Sequence, residues 1–397
     1  MRRALLGALF AAFLAAPVFL AAPACAQTVK IGLIMPYSGQ FADTAAQMDN
    51  AIKLYVKEHG DTVAGKKIEF IRKDTGGIAP DVAKRLAQEL VVRDKVDILG
   101  GLVLTPNALA IGDVSAEAKK LTVIMNAATS IITEKSPYMA RTSVTTPMLN
   151  QTLGHWAATK GGIKKVFTMV SDYGPGHDAE GAFHLGFKEG GGEIVGAVRF
   201  PVANPDFSAF VQRAKDANPD AIYIWIPGGT QPAAVAKALL ERGIDMKKTR
   251  IIGQDVIADD SVLKSLGAQA EGIVSVTMYD YNRDTALAKS FLKGFQELTG
   301  GRNPDIYAVG GYDGMHLIYE ALKKTGGKAD GDSLITAAKG MKWESPRGPM
   351  SIDPETRDVI EDMHILRVQL VDGKPKNVEF DTIKDVKDPV KERMKKK

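Results

Sequence analysis

The sequence predicts an α/β protein of two Rossmann-like parallel-sheet lobes, and three observations predict it. Short apolar runs alternate with segments of helical period along almost the whole chain. The alternation pauses near Met139-Ala140-Arg141-Thr142 and then restarts. Of 397 residues, 371 follow residue 26, more than one ordinary core accommodates.

Residues 29–35 (Val-Lys-Ile-Gly-Leu-Ile-Met) form a buried-strand run ending in Pro36-Tyr37-Ser38-Gly39. Residues 44–59 carry Ala51, Leu54 and Tyr55 at helical spacing. Residues 68–72 alternate as a strand does, and 79–92 place Val82, Leu86 and Leu90 on one helix face. Strands at 96–100 and 122–125 flank a helix at 106–119. The second block repeats this order without repeating the sequence. Its strands are expected at 165–170, 194–200, 221–226 and 250–253, with helices between them. Such alternation is the signature of βαβ units and a parallel sheet covered on both faces. Long helical patterns at 286–299 and 307–325 return the chain to the first lobe.

The N-terminus has the form of a secretory signal. Arg2 and Arg3 precede an uncharged run over 4–22, and Ala24 and Ala26 place small residues at −3 and −1 of a cut after Ala26. Lipidation at Cys25 is the alternative processing. Cys25 is the only cysteine, so a chain cut after Ala26 is stabilised by packing without disulfides. Removing Arg2 and Arg3 leaves 49 basic and 47 acidic side chains, a net charge of +2. That balance, with no basic stripe, speaks against nucleic acid as a partner. Basic residues gather at 391–397, and residues 386–397 are expected to be a frayed, solvated tail.

No catalytic constellation is present. The chain lacks a phosphate-binding loop, a dinucleotide fingerprint after the first strand and a nucleophile elbow. His177 and His184 lie seven residues apart without cysteine or HExxH partners, so ordinary surface histidines are expected there and no metal or cofactor. Gly174-Pro175-Gly176 fits a tight strand-to-helix turn.

Ligands of open parallel sheets bind outside the carboxyl ends of the strands. That rule selects the loops carrying Phe41, Leu104, Thr105, Ala128, Thr129, Tyr173, Pro227 and Asp255. Hydroxyls beside free N–H groups at helix starts suit a carboxylate. Tyr37, Phe41, Tyr173 and Trp225 offer apolar and stacking surface. Asp255 has no cation near it in sequence. A cleft-facing, unpaired Asp255 predicts a ligand ammonium, whereas neutralisation by Arg or Lys predicts a simple acid.

Several segments, in order, resemble the leucine/isoleucine/valine-binding proteins, the type I periplasmic solute-binding components of branched-chain amino-acid ABC transporters. They are residues 31–39, Lys73-Asp74-Thr75, Asn126-Ala127-Ala128-Thr129, residues 172–180, Gly311-Tyr312-Asp313 and Trp343-Glu344-Ser345-Pro346-Arg347-Gly348. The resemblance implies a three-stranded hinge with crossings near 141–147, 274–280 and 348–353. The lobes are then 27–145 with 278–350, and 146–277 with 351–385. By position it places carboxylate binding at Leu104-Thr105 and Ala128-Thr129, the cleft tyrosine at Tyr173 and the ammonium acceptor at Asp255. The family's serine run is here Val103-Leu104-Thr105-Pro106, and its usual Glu is Asp255. The implied function is capture, by hinge closure in the periplasm, of a branched-chain or related amino acid. The alternatives are a benzoate- or hydroxycinnamate-like acid, or a sensory binding protein of the same fold. The implied partners are the small molecule and a membrane permease, with the binding protein itself a monomer.

Overall fold

The computed structural model describes residues 28–203 and 205–396. The signal segment and Cys25 lie outside them. The first sheet contains β1 (Thr28–Met35), β2 (Thr62–Val63), β3 (Lys66–Asp74), β4 (Ile98–Gly101), β5 (Thr122–Ile124) and β6 (Met139–Arg141). Its order is β2-β3-β1-β4-β5-β6, parallel except at β2. Helices α1 (Ala42–His59), α2 (Pro80–Val92) and α3 (Thr105–Glu117) connect these strands. Strand order reverses at β1, so the loops after β1 and β4 open a crevice between them.

The second lobe begins with α4 (Thr146–Thr159) and α5 (Gly174–Glu189), between which lies β7 (Lys165–Ser171). It continues through β8 (Glu193–Phe200), α6 (Phe207–Asp216), β9 (Ala221–Trp225), α7 (Gln231–Glu241), β10 (Arg250–Gln254), α8 (Asp260–Leu266) and β11 (Val274–Thr277). Strands β8-β7-β9-β10-β11 are parallel, and the order reverses at β7. The chain then returns to the first lobe as α9 (Ala286–Thr299), α10 (Ile306–Lys324) and α11 (Gly331–Ala338). Both α9 and α10 pack on α1. The last strands, β12 (Lys342–Ser345), β13 (Gly348–Ile352), β14 (Val359–Val371) and β15 (Lys374–Val386), extend the second sheet antiparallel from β11.

The lobes are thus joined at 142–145, 278–285 and 339–341. The third join precedes the expected 348–353, because 342–352 forms a hairpin whose backbone is paired into the second sheet. The hairpin still faces the first lobe. Trp343 Nε1 and Ser345 Oγ donate to Asp313 of α10 at 3.0 and 2.9 Å. Arg347, 2% exposed, ties the first two crossings to the hairpin that follows the third. Its guanidinium lies 3.0 Å from Asp313 and 3.2 Å from Glu361 of β14. It also donates to the Thr142 carbonyl of the first crossing and to Met278 Sδ of the second.

The basic tail is the second correction. Residues 389–395 form helix α12 (Pro389–Lys395), which packs on α4. Asp388 caps it and Pro389 opens it, an arrangement suited to the first helical turn. Lys391 points inward, 5% exposed. Its Nζ lies 2.6 Å from Asp358 and also donates to Thr133 of the first lobe. Asp358 meets Arg141 at 3.2 Å, and Asp358 and Arg141 are both buried. Replacing Lys391 by alanine is expected to cost about 1–3 kcal/mol, less than a full break of a buried pair because Arg141 still serves Asp358. Lys396, exposed on the same tail, is expected to matter by less than about 0.5 kcal/mol. Urea unfolding of the two alanine variants checks the difference.

Candidate functional site

The cavity lies between the lobes where the two strand-order reversals face each other. From the first lobe come Phe41, Thr44, Val103, Leu104, Thr105, Asn126 and Ala128, with Ile306 and Tyr307 from α10. From the second come Tyr173, Pro175, Trp225, Ile226, Pro227, Gly228, Gln254, Asp255 and Val256. Seven of the eight sequence-selected residues line it. Thr129 does not; it lies against Asp178 of α5, and Arg141 binds its carbonyl at 2.8 Å.

Local geometry places each wall. After β4 the chain turns through Leu102, buried at φ 57°, a conformation a leucine adopts only when its surroundings impose it. Its N–H bonds Ile34 and its carbonyl accepts from Ala127, which fixes the loop leading into α3. Helix α3 then starts at the cavity with no side-chain cap, and so does α5 after Tyr173. Neither first turn carries an acidic residue. Their free N–H groups and dipoles are the donors available to an anion. Gly176 is required in the α5 turn, since a Cβ there would sit 1.9 Å from the Ser171 carbonyl.

The remaining wall is aromatic and apolar. Trp225 Nε1 bonds Gln254 at 2.9 Å, and its ring lies 5.8 Å from that of Tyr173. Among the described residues, no Lys, Arg or His lines this cavity. Among the described residues, Asp255 is the one carboxylate that lines it. Oδ1 accepts from the Val256 N–H at 2.9 Å, and Oδ2 lies 2.9 Å from Thr277 Oγ1. Burial pushes Asp255 up to about 7 and Asp305, the cap of α10, up to about 8. Burial likewise pushes Glu361 up to about 8, against the pull of Arg347. The expected discriminator therefore reads "unpaired", with neither Arg nor Lys beside Asp255.

Sequence reasoning missed Tyr307, and it marked the strand-end segments that carry Asn126 and Gln254 without singling those two residues out. Tyr307 arrives at the start of α10, not at a strand end; Asp305 ahead of a helical pattern was its only signal. The histidines have ordinary partners. His177 meets Asp172 at 2.7 Å and His184 meets Thr168 at 3.1 Å. Among the described residues no group of three or more potential metal ligands occurs.

The three raised carboxyls have a consequence for stability. Each binds its proton more tightly folded than unfolded, so its contribution is full below the unfolded value near 4 and is lost as pH rises through 7 to 8. His184 and His316, held low by burial, act at lower pH. The unliganded protein is expected to melt at progressively lower temperature from about pH 6.5 to about pH 8 and to level off above that. A melting temperature that held steady over that range would contradict the assignment.

A family model described as "Periplasmic binding protein" matches residues 28–375. Leu/Ile/Val-binding protein homolog 6 of Brucella melitensis is 38% identical over 373 residues, covering 93% of this chain and 95% of the relative. A solute-binding protein of an ABC transporter from Rhodopseudomonas palustris BisB5, solved with 3,4-dihydroxybenzoic acid, is 53% identical with a TM-score of 0.88. The match covers 92% of this chain and 99% of that one. Another, from R. palustris HaA2 and solved with p-hydroxybenzoic acid, is 40% identical with a TM-score of 0.87, over 92% and 99% of the two chains.

Proposed function

The chain belongs to the periplasmic binding protein family, whose members deliver solutes to ABC transporters, and from that premise we propose that its interlobe cavity captures an aromatic carboxylic acid. The wall carries the reading. Phe41, Tyr173, Trp225 and Tyr307 surround a space whose anion-binding groups are the uncapped starts of α3 and α5. A flat ring fits such walls, and its carboxylate suits backbone N–H groups in a site without basic side chains. The identity to a protein that holds 3,4-dihydroxybenzoic acid supports the same class.

One observation favours a branched-chain amino acid instead. Asp255 has no cationic partner and could receive an ammonium, and the Brucella relatives are named for leucine, isoleucine and valine. A thermal-shift screen separates the two. Benzoate, 4-hydroxybenzoate and 3,4-dihydroxybenzoate are expected to stabilise the protein, by about 2.7 kcal/mol at a hundred times the dissociation constant. Leucine, isoleucine and valine are expected to leave it unshifted. Stabilisation by leucine with none by any benzoate would overturn the proposal.

Export to the periplasm follows from the family and from the signal-like residues 1–26. In this reading the lobes close on the ligand about the three crossings and present the closed form to a permease.

A further inference from the structure

We infer that Asp255 works as a neutral carboxylic acid, held so by Thr277, and that it accepts a ring hydroxyl of the ligand, so that the cavity selects hydroxylated aromatic acids. The inference rests on the aromatic-acid reading and sharpens it.

Thr277 is fully buried, and its Oγ1 has three polar neighbours. The Tyr279 N–H donates to it at 3.1 Å. The Tyr279 carbonyl lies 2.9 Å away and can only accept. Asp255 Oδ2 lies 2.9 Å away on a third side. A hydroxyl has one proton and two lone pairs. Were Asp255 ionised, that one proton could serve either the carboxylate or the Tyr279 carbonyl. The other contact would then set two acceptors 2.9 Å apart in a buried site. With the proton on Asp255 Oδ2, every contact is satisfied. Asp255 donates to Thr277, Thr277 donates to the Tyr279 carbonyl, and Thr277 accepts from the Tyr279 N–H. Oδ1 is then a carbonyl oxygen. The Val256 N–H takes one of its lone pairs, and a ligand hydroxyl shares the remaining acceptor face of the carboxyl with the Gln254 side chain.

The surroundings act in the same direction. Asp255 also borders an outer chamber whose ionisable groups are Asp259 and Asp260 of the α8 turn, Tyr279, Asp280 and Tyr281 after β11, Asp305 and Tyr307 at α10, and Asp43 of α1 with Arg302. Arg302 is engaged by Asp43 at 2.7 Å. Burial disfavours a negative charge on Asp255 most, and Asp259 and Asp305 repel it as well. Tyr279, which lines the outer chamber, is 5% exposed, and its Oη has no partner. It is placed to meet a second hydroxyl.

Calorimetric titration of the full protein with benzoate and 4-hydroxybenzoate, from about pH 6 to about pH 9, tests this. The wild type is expected to bind 4-hydroxybenzoate about tenfold more tightly than benzoate near pH 6, the worth of one hydrogen bond. Its dissociation constant is expected to rise, towards a limit of about tenfold per pH unit, once Asp255 ionises. Asp255→Asn keeps a carbonyl acceptor and an N–H donor for Thr277. It is expected to bind 4-hydroxybenzoate within about threefold of wild type and to lose the pH dependence. Asp255→Leu is expected to bring the two ligands to near-equal affinity. A folded Asp255→Asn protein weakened by tenfold or more, or a wild-type affinity that holds or improves as pH rises, would overturn the inference while leaving the aromatic-acid reading intact. Should Asp255→Asn fail to fold, the wild-type pH profile and the ligand ratio decide alone. Binding of leucine with no aromatic acid bound would remove the underlying reading itself.

Discussion

Replacing Gly229 by alanine is expected to weaken ligand binding by about 1–3 kcal/mol, roughly 5- to 150-fold, while the protein stays folded. Gly229 stands at the tip of the β9–α7 loop at φ +84°, where an L side chain is strained. Its neighbour is on the other lobe. An added Cβ would lie 2.3 Å from the Gln40 carbonyl and 3.3 Å from the Phe41 ring. The carbonyl is backbone, at the turn that leads into α1, and cannot swing aside. The clash exists only when the lobes meet, so the cost falls chiefly on closure. Gly228 beside it makes a milder control, because its Cβ would meet Tyr307 Oη at 2.4 Å, a side-chain end that can move. Calorimetric titration of both variants, with a melt to confirm the fold, checks the order. Unchanged affinity in Gly229→Ala would show that the bound form does not bring these two turns together.

Arg347→Met is expected to lower the free energy of unfolding by about 3–5 kcal/mol. The substitution keeps length and removes the charge. It leaves Asp313 buried with only Trp343 and Ser345 as donors, and it strips the Thr142 carbonyl of its partner. Lysine restores charge but not the planar fork that reaches Asp313, Glu361 and Thr142 together, so Arg347→Lys is expected to recover only part of the loss. Glu361→Gln is expected to cost less than either, since burial already draws Glu361 towards its neutral form. Equilibrium unfolding in urea measures all three. A methionine variant within about 1 kcal/mol of wild type would remove Arg347 as the tie between the crossings.

What could be read in advance follows physical lines. The period-two and period-3.6 patterns are local, and they marked the parallel strands and most helices. The strand-end rule needs only the strand positions, so it found Leu104, Tyr173 and Asp255. It could not find Tyr307, whose helix begins in a returning segment unrelated to any parallel strand. Arg347 was visible only as one basic residue in a Ser-Pro-Arg-Gly turn. Its partners lie at 142, 278, 313 and 361, and no local pattern joins those distances. The tail was misjudged for a related reason. A run of lysines looks solvated until a buried Asp358, 33 residues earlier, claims one of them.

That docked tail sets an order of events at synthesis. Arg141 and Thr133 lie on the first lobe, yet Lys391, which completes their cluster, follows Thr133 by 258 residues. Helices α9 to α11, which cover the first sheet, also follow the whole parallel part of the second lobe in sequence. Neither lobe can be finished from a growing chain by its own contiguous residues. Co-translational folding, which ordinarily proceeds from the N-terminal unit, is therefore postponed until α12 has emerged. Helix α12 thus acts as a timer on the compaction of the first lobe.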